Sequence, residues 1–528
     1  MFDPDNKIPG GVDPAEAARL AAMSRQRAEE GRERVQGAAP CDECAGVGFS
    51  RDEILGCLKN NEIGDARIVT AIGRGRFVFD HSDSKAYRWG GNWELDRIHE
   101  IAGLVGEAVA VYAGEAKRQG FSLVEALGSG DKEAAGRGKA IRDALEKRIS
   151  LLQSKQRLES VLKLATWGLG SLGIGGLEWD SRPDLLAVAN GTLELETGRF
   201  RPSRREDYLR TVAPTEWHGQ DAPRARWERF VLEIFGDDPE LAGYFRRLVG
   251  YGLSGAVTEH ILPVLWGTGR NGKGVAIETI GRVLGDLACP VQSEILLASS
   301  FVKAGGGPSS EILNLRGRRI CWASETGEGQ RLNAAKIKSL TGGDSLCGRA
   351  PYGKHEISFS PSHLLVLVTN FRPRADAGDR ALWARIHLVP FGVAFVDNPE
   401  GPNEKPRDPH LSEKLAEEAP GILAWMLQGH LEWRERGLDP PAVVLAATSE
   451  YRADEDLIGQ FIEERCWVQS LDQVKASNLY GAYKAWCEDM GHRPVSGNKF
   501  GRRLRERGFD AFKEGTIHYI GIRLKNDE

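Results

Sequence analysis

At 528 residues the chain is too long for one domain, and its net charge of −5 excludes a global basic field of the kind that announces a nucleic-acid partner. A hydrophobic fraction of 41% and a charged fraction of 27% are those of ordinary folded domains, not of a disordered or fibrous chain. Irregularly spaced cysteines, a start without the charged-then-apolar pattern of a secretory signal, and apolar runs well short of the ~20 residues that span a bilayer lead us to expect a soluble cytoplasmic protein.

Residues 1–40 are rich in Ala, Arg, Glu and Gly. Asp13-Pro14-Ala15-Glu16 predicts a helix start, with cap, first-turn proline and capping-box acid, but that helix has little to bury and is read as a charged arm. Residues 41–224 form a mixed α/β domain or a pair of them, with strands predicted at 74–80 and 86–89 and a helix at 143–164. Asn190-Gly191 marks a tight hairpin between 185–189 and 192–195. Cys41 and Cys44, with Cys57 and His81, are conceivable zinc ligands, but no second closely spaced pair follows and no metal is expected. Tyr87, Trp89 and Trp93 are read as core. Apolar residues then recur at helical spacing over 225–255, broken by Gly236-Asp237-Asp238, as in a helical collar. Over 256–396 strands and helices alternate, the pattern of a parallel sheet covered by helices. His387 on the last of these strands is expected to be a satisfied core histidine. A helical segment with linker (397–454) precedes a compact basic domain (455–528).

Gly267, Gly269, Asn271, Gly272, Lys273 and Gly274 belong to a glycine-rich stretch, GTGRNGKG, between an apolar strand at 261–266 and a helix. Such a loop turns backbone amides inward, adds the positive end of the helix, and here supplies Lys273 for β/γ-phosphates. The usual Ser or Thr that holds Mg²⁺ is replaced by Gly274.

Some fifty residues on, the buried-strand run 319–323 ends in Ser324-Glu325, where a nucleotide-hydrolysing core needs a carboxylate for metal-bound water or for activating the attacking water. A further apolar strand, 364–368, ends in Thr369-Asn370, whose amide can orient water or sense a phosphate. Arg385 opens the strand 386–390, and Tyr352-Gly353-Lys354-His355 reads as a cationic hairpin tip. In the last domain, a helix over 478–490 and a helix over 497–507 bearing Lys499, Arg502, Arg503, Arg505 and Arg507 lead into strands at 509–513 and 517–522. Helix, turn, cationic helix and hairpin is the winged helix-turn-helix order, a DNA anchor.

GTGRNGKG, ICWASETGEGQRLNAAKIKSLTGGD, GRAPYGKHEISFSP, LLVLVTN and ALWARIHLVPF, in this order, resemble the superfamily 3 helicases, specifically the phage and plasmid primase-helicase branch. The resemblance implies an AAA+-like core in a homo-hexameric ring that uses ATP and Mg²⁺, takes single-stranded DNA in its pore, and holds duplex or origin DNA on a C-terminal winged-helix domain. It makes Lys273 the phosphate lysine, Glu325 the acidic residue at the metal and Asn370 the sensor. Arg385 becomes the arginine finger reaching a neighbour, with Arg380 as runner-up, and Lys354 with His355 the pore hairpin. Long members of the branch carry a primase ahead of the motor. Here that region lacks an evident set of catalytic carboxylates, so a helicase without its own primase module is expected, served by a separate primase or host replication proteins. An origin-binding initiator that uses ATP for melting, and a DNA-binding scaffold with weak ATPase, are the competing readings.

Overall fold

The computed structural model describes residues 48–298, 310–324, 327–349 and 356–525. They fall into two compact units, one of residues 48–88 with 95–175, the other of 89–94 with 176–525. The mixed region expected over 41–224 is thus shared between them. The arm expected over 1–40 and the cysteines at 41 and 44 lie outside the described residues.

In the first unit, Ser50 and Glu53 form a reciprocal capping box that starts α1 (Arg51–Lys59), followed by α2 (Asn61–Gly73). A hairpin of β1 (Phe77–Asp80) and β2 (Lys85–Trp89) precedes two long antiparallel helices, α3 (Gly103–Gly128) and α4 (Lys132–Leu152), and then α5 (Lys155–Ala165). The helix predicted over 143–164 is broken at Gln153-Ser154, because the Ser154 side chain accepts from the Arg157 amide and starts a new helix. Asp65 is fully buried, and its carboxylate is answered by Arg148 and Arg157, each at 2.7 Å, and by the Tyr112 hydroxyl at 2.8 Å. A buried carboxylate survives only with such partners. His81 meets the Thr166 carbonyl at 2.8 Å, and among the described residues no cluster of three metal-ligating side chains occurs.

The second unit opens with the predicted hairpin, β3 (Leu185–Val188) against β4 (Gly191–Glu194). Arg319, itself buried, donates to the carbonyls of Pro183 and Leu185 and so ties this hairpin down. Trp93 is buried and stacks parallel to Tyr208, as a core aromatic does. Two amphipathic helices follow, α6 (Ala225–Ile234) and α7 (Pro239–Tyr251); Asp238 caps the second, with Pro239 in its first turn.

The central sheet takes β5 (Leu262–Trp266), β6 (Ala288–Val291), β7 (Ile320–Ser324), β8 (Leu364–Thr369) and β9 (Ile386–Pro390) in the order β6-β7-β8-β5-β9, every pair parallel. The fold is α/β, and β8 is fully buried along its length, as a strand covered on both faces must be. On one side of the sheet, α7 crosses α8 (Ala419–Arg436). There Gly250 and Gly429 bring the backbones together: a Cβ on Gly250 would sit 2.1 Å from the His430 nitrogen, and one on Gly429 2.1 Å from the Arg246 carbonyl.

Residues 442–454 form one more helix before the C-terminal region, which has three helices, α9 (Leu457–Arg465), α10 (Ala476–Asp489) and α11 (Gly497–Glu506), and an antiparallel sheet. Its strands are β10 (Gln473–Lys475), β11 (Ala511–Glu514) and β12 (Thr516–Ile520), ordered β10-β12-β11. Phe461, Tyr483, Trp486 and Phe500 fill its core, Tyr483 stacking on Phe500 at 4.7 Å. None of the described helices is long and apolar enough to cross a membrane.

The glycine crossing is directly testable. Gly250→Ala forces backbone apart and should lower the unfolding free energy by roughly 2–3 kcal/mol. Gly274→Ala, whose Cβ would meet nothing within 4 Å, should leave stability unchanged or slightly raised. Denaturant titrations of the two variants against the parent chain check the contrast.

Candidate functional site

The glycine-rich loop leaves the carboxyl end of β5 and enters a helix over Lys273–Leu284. Gly269, Arg270 and Gly272 all take positive φ, at 111°, 51° and 80°, which folds the loop back over the helix end. Gly272 also has no room for a side chain, since its Cβ would meet Ile234 at 2.5 Å. No side chain caps the helix, so its first amides remain available to an anion.

Lys273 lies inside this loop and is 4% exposed. Its ammonium donates to the Gly267 carbonyl at 2.7 Å, to Asn271 Oδ1 at 2.9 Å and to Asn370 Oδ1 at 3.1 Å. Burial pushes its pKa down to about 8. Asn271 turns its amide nitrogen to the Phe391 carbonyl at 3.2 Å, and the Arg270 carbonyl accepts from the Phe395 amide. The segment following β9 therefore clamps the loop. Strand order explains why Asn370 arrives here: β8 lies directly beside β5, so its carboxyl end meets the loop. Arg372, two residues on, stacks over Trp266 at 4.6 Å and pairs with Asp454 at 2.9 Å.

β7, on the far side of β8, ends at exposed Ser324, in register with Val368. Glu325 lies outside the described residues, as do Lys354 and His355. The strands flanking that expected hairpin, Leu346–Gly348 and Ile357–Phe359, do pair antiparallel. Gly274, in the place of the metal-binding hydroxyl, has open space around its Cβ position.

Arg385 sits at the amino ends of the strands, opposite the carboxyl ends that carry the loop. It precedes β9, its carbonyl accepts from the Leu262 amide at the start of β5, and its guanidinium bonds Thr341 and the Ala381 carbonyl. A five-residue strand at about 3.3 Å per residue puts it roughly 15 Å from the loop of its own chain. Arg380 is exposed at the start of a short helix, Arg380–Trp383. His387 meets the Tyr244 hydroxyl at 2.7 Å, a satisfied core histidine.

The five cations of α11 have different fates. Lys499 and Arg503 both bind the Asp376 carboxylate at 2.7 Å, and Arg503 also donates to the Gly378 carbonyl at 2.9 Å. Arg507 pairs with Asp456. Arg502 and Arg505 stay exposed on the outer face, Arg502 only 3.8 Å from Glu506. The helix is thus moored to the loop between Asn370 and Arg385, a contact that the sequence does not announce because Lys499 lies 123 residues from Asp376.

A parallel five-stranded sheet thus carries a glycine-rich loop around a buried lysine, with a polar strand end beside it, and a C-terminal helical module follows in the chain. In comparison with known proteins, the family described as D5 N terminal like matches residues 66–236, and the one described as Poxvirus D5 protein-like matches 453–519. "Putative helicase L207/L206" of Acanthamoeba polyphaga mimivirus is 27% identical over 323 residues, covering 58% of this chain and 33% of that protein. "Putative helicase 022R" of Frog virus 3 is 27% identical over 383 residues, covering 58% and 39%. "Putative primase C962R" of African swine fever virus is 26% identical over 331 residues, covering 58% and 33%. The chain spans little more than a third of the length of these relatives. Among solved structures, the C-terminal region of NrS-1 aligns with a TM-score of 0.37 at 12% identity, covering 65% of this chain and 83% of that one.

The mooring of α11 carries a pH signature. Burial pushes the Asp376 carboxyl up, but Lys499, Arg503 and the Gly378 amide outweigh it and hold the carboxyl below its ordinary range. A depressed carboxyl stabilises the contact above its unfolded pKa, about 3.9, and that contribution is lost as pH falls through the lower folded value. Asp376→Asn should weaken the contact at neutral pH by about 1 kcal/mol, the upper range for partly exposed pairs. Hydrogen exchange over 497–506 should rise in the variant at neutral pH and in the parent only in acid.

Proposed function

We propose that this chain is the ATP-driven motor of a ring-forming DNA helicase that serves replication of a viral or other mobile element. Unwinding, not priming, is the activity assigned to it. The observation that carries the reading is the meeting of Lys273 and Asn370 under a glycine loop of three positive-φ residues, with Arg385 held at the far end of the same sheet.

The loop fits a triphosphate by its own chemistry. Uncapped helix amides and a buried ammonium face one small space, and Asn271, fixed through Phe391, aims the ammonium. ATP supplies the phosphoryl group whose transfer to water drives the motor. Lys273 exchanges its internal oxygens for phosphate oxygens and so moves off Asn370, freeing that amide to orient water. Ser324 and Glu325 would hold Mg²⁺, in part through water, because residue 274 offers no hydroxyl. Arg385 cannot reach the loop of its own chain, so its charge is useful to hydrolysis only at a neighbour's site. That requirement supports a ring. DNA would meet Lys354 and His355 in the pore, and Arg502 and Arg505 on the outer face of α11, while Lys499, Arg503 and Arg507 are engaged within the chain.

Two outcomes test the reading. Lys273 titrates near pH 8 when no phosphate faces it, and phosphate restores the charged form. Nucleotide binding above that pH should therefore take up a proton and weaken as pH rises, an effect absent from Lys273→Ala; calorimetry in buffers of different ionisation enthalpy reads it directly. Lys273→Ala and Glu325→Gln should each abolish turnover, the second while still binding nucleotide.

Subunit mixing tests the ring. Arg385→Ala and Lys273→Ala chains, each inactive, should regain ATPase when allowed to exchange, because some sites then hold both groups. An arginine finger contributes roughly 10³–10⁵ in rate in other nucleotide hydrolases, so the recovered signal should stand well above either variant alone. A mixture no more active than its parts, with exchange demonstrated, assigns Arg385 to its own chain.

A further inference from the structure

Between the motor loop at 374–378 and the C-terminal helices lies a cleft of about 710 Å³ that none of the assigned residues explains as a nucleotide site. Six cations line it, Arg331, Arg374, Arg493, Lys499, Arg503 and Arg507, against three carboxylates, Asp376, Glu455 and Asp456. In a chain of net charge −5 this is a local reversal of sign. The pairing inside the cleft is uneven. Asp376 takes Lys499 and Arg503, Asp456 takes Arg507, and Glu455 takes Arg374 at 3.4 Å. Arg331 and Arg493 are exposed and form no ion pair among the described residues, Arg331 feeling Glu455 only at a distance.

A second feature points the same way. The ten-residue helix α11 begins in this cleft, at Ser496, and no side chain caps it. Its first amides and its positive end join the unpaired arginines on one concave surface, an arrangement that fits phosphate oxygens. The volume is that of a small-ligand pocket and takes a few nucleotides, not the width of a duplex.

We propose that this cleft binds the backbone of single-stranded DNA, with Arg331 from the motor and Arg493 from the C-terminal module as its principal phosphate contacts. A strand seated there bridges the two parts and lies against the loop that leads from Asn370 towards Arg385. The site is separate from the outer face of α11. It shares with the functional reading above only the assumption that the chain handles DNA.

The test is fluorescence anisotropy of a labelled oligothymidine, and of a labelled duplex, titrated with the full chain over a range of salt and without nucleotide. Lys354→Ala serves as the background, so that the hairpin does not mask the cleft. Arg331→Ala/Arg493→Ala should bind the single strand about tenfold more weakly, with a log–log salt slope shallower by roughly 1.4, at about 0.7 per lost cation. Arg331→Lys/Arg493→Lys should retain most of the binding and slope, since a point charge still meets a phosphate. Arg502→Ala/Arg505→Ala should weaken the duplex and spare the single strand. Unchanged single-strand affinity and slope in Arg331→Ala/Arg493→Ala overturn the proposal. So does an equal loss on duplex, and so does a parent chain that binds no single strand. Because no nucleotide is present, a failed ATPase assignment and a failed cleft are told apart.

Discussion

A lysine ammonium taken out of water must be given oxygens, and Lys273 receives them from Gly267, Asn271 and Asn370, gathered around one loop. This requirement organises the central sheet of the chain. Asn370 can be present only if β8 is inserted beside β5, which the order β6-β7-β8-β5-β9 accomplishes. Asn271 can aim its oxygen only if its nitrogen is held, and Phe391 at the end of β9 does that. The loop is therefore held in shape by the chain's own contacts, and a phosphate bound there as proposed would replace contacts rather than create a site from a slack chain.

The two ends of the same sheet hold different groups. Lys273 and Asn370 gather at the carboxyl ends of the strands, where parallel α/β sheets place their ligand sites. Arg385 lies at the amino end of β9, fixed by Thr341 and Ala381. Between these ends runs the segment 371–384, anchored at Trp266 through Arg372, at Lys338 through Asp379, and at α11 through Asp376.

Local signals in the sequence carried much of this. Strands such as 364–368 stand out because continuous apolar runs of that length belong to buried parallel strands, and Asn190-Gly191 turns where its dipeptide says it turns. The glycine loop is legible because positive φ and close approach leave few other residues a place there. What stayed hidden is non-local. The break between α4 and α5 depends on one serine side chain competing with the helix, and the division at residues 175 and 176 depends on which surfaces bury each other. Five cations on one helix read alike in sequence; only the fold shows that Asp376 and Asp456 claim three of them.

Asp376 acts on Lys499 and Arg503 as a resident counter-ion, and this changes the thermodynamics of anything that would bind them. A bare surface cation gains from nucleic acid because condensed salt ions are set free. A cation already neutralised by a carboxylate of its own chain sets free a tethered aspartate instead, which goes nowhere and remains to compete. Phosphates reaching these two side chains thus face an exchange of near-equal partners, with little entropy to gain from the salt atmosphere. The inner face of the helix is thereby discouraged from adhering to polyanions at large: Lys499 is released only when something else draws Asp376 away, and Arg503 would still be held by Glu506.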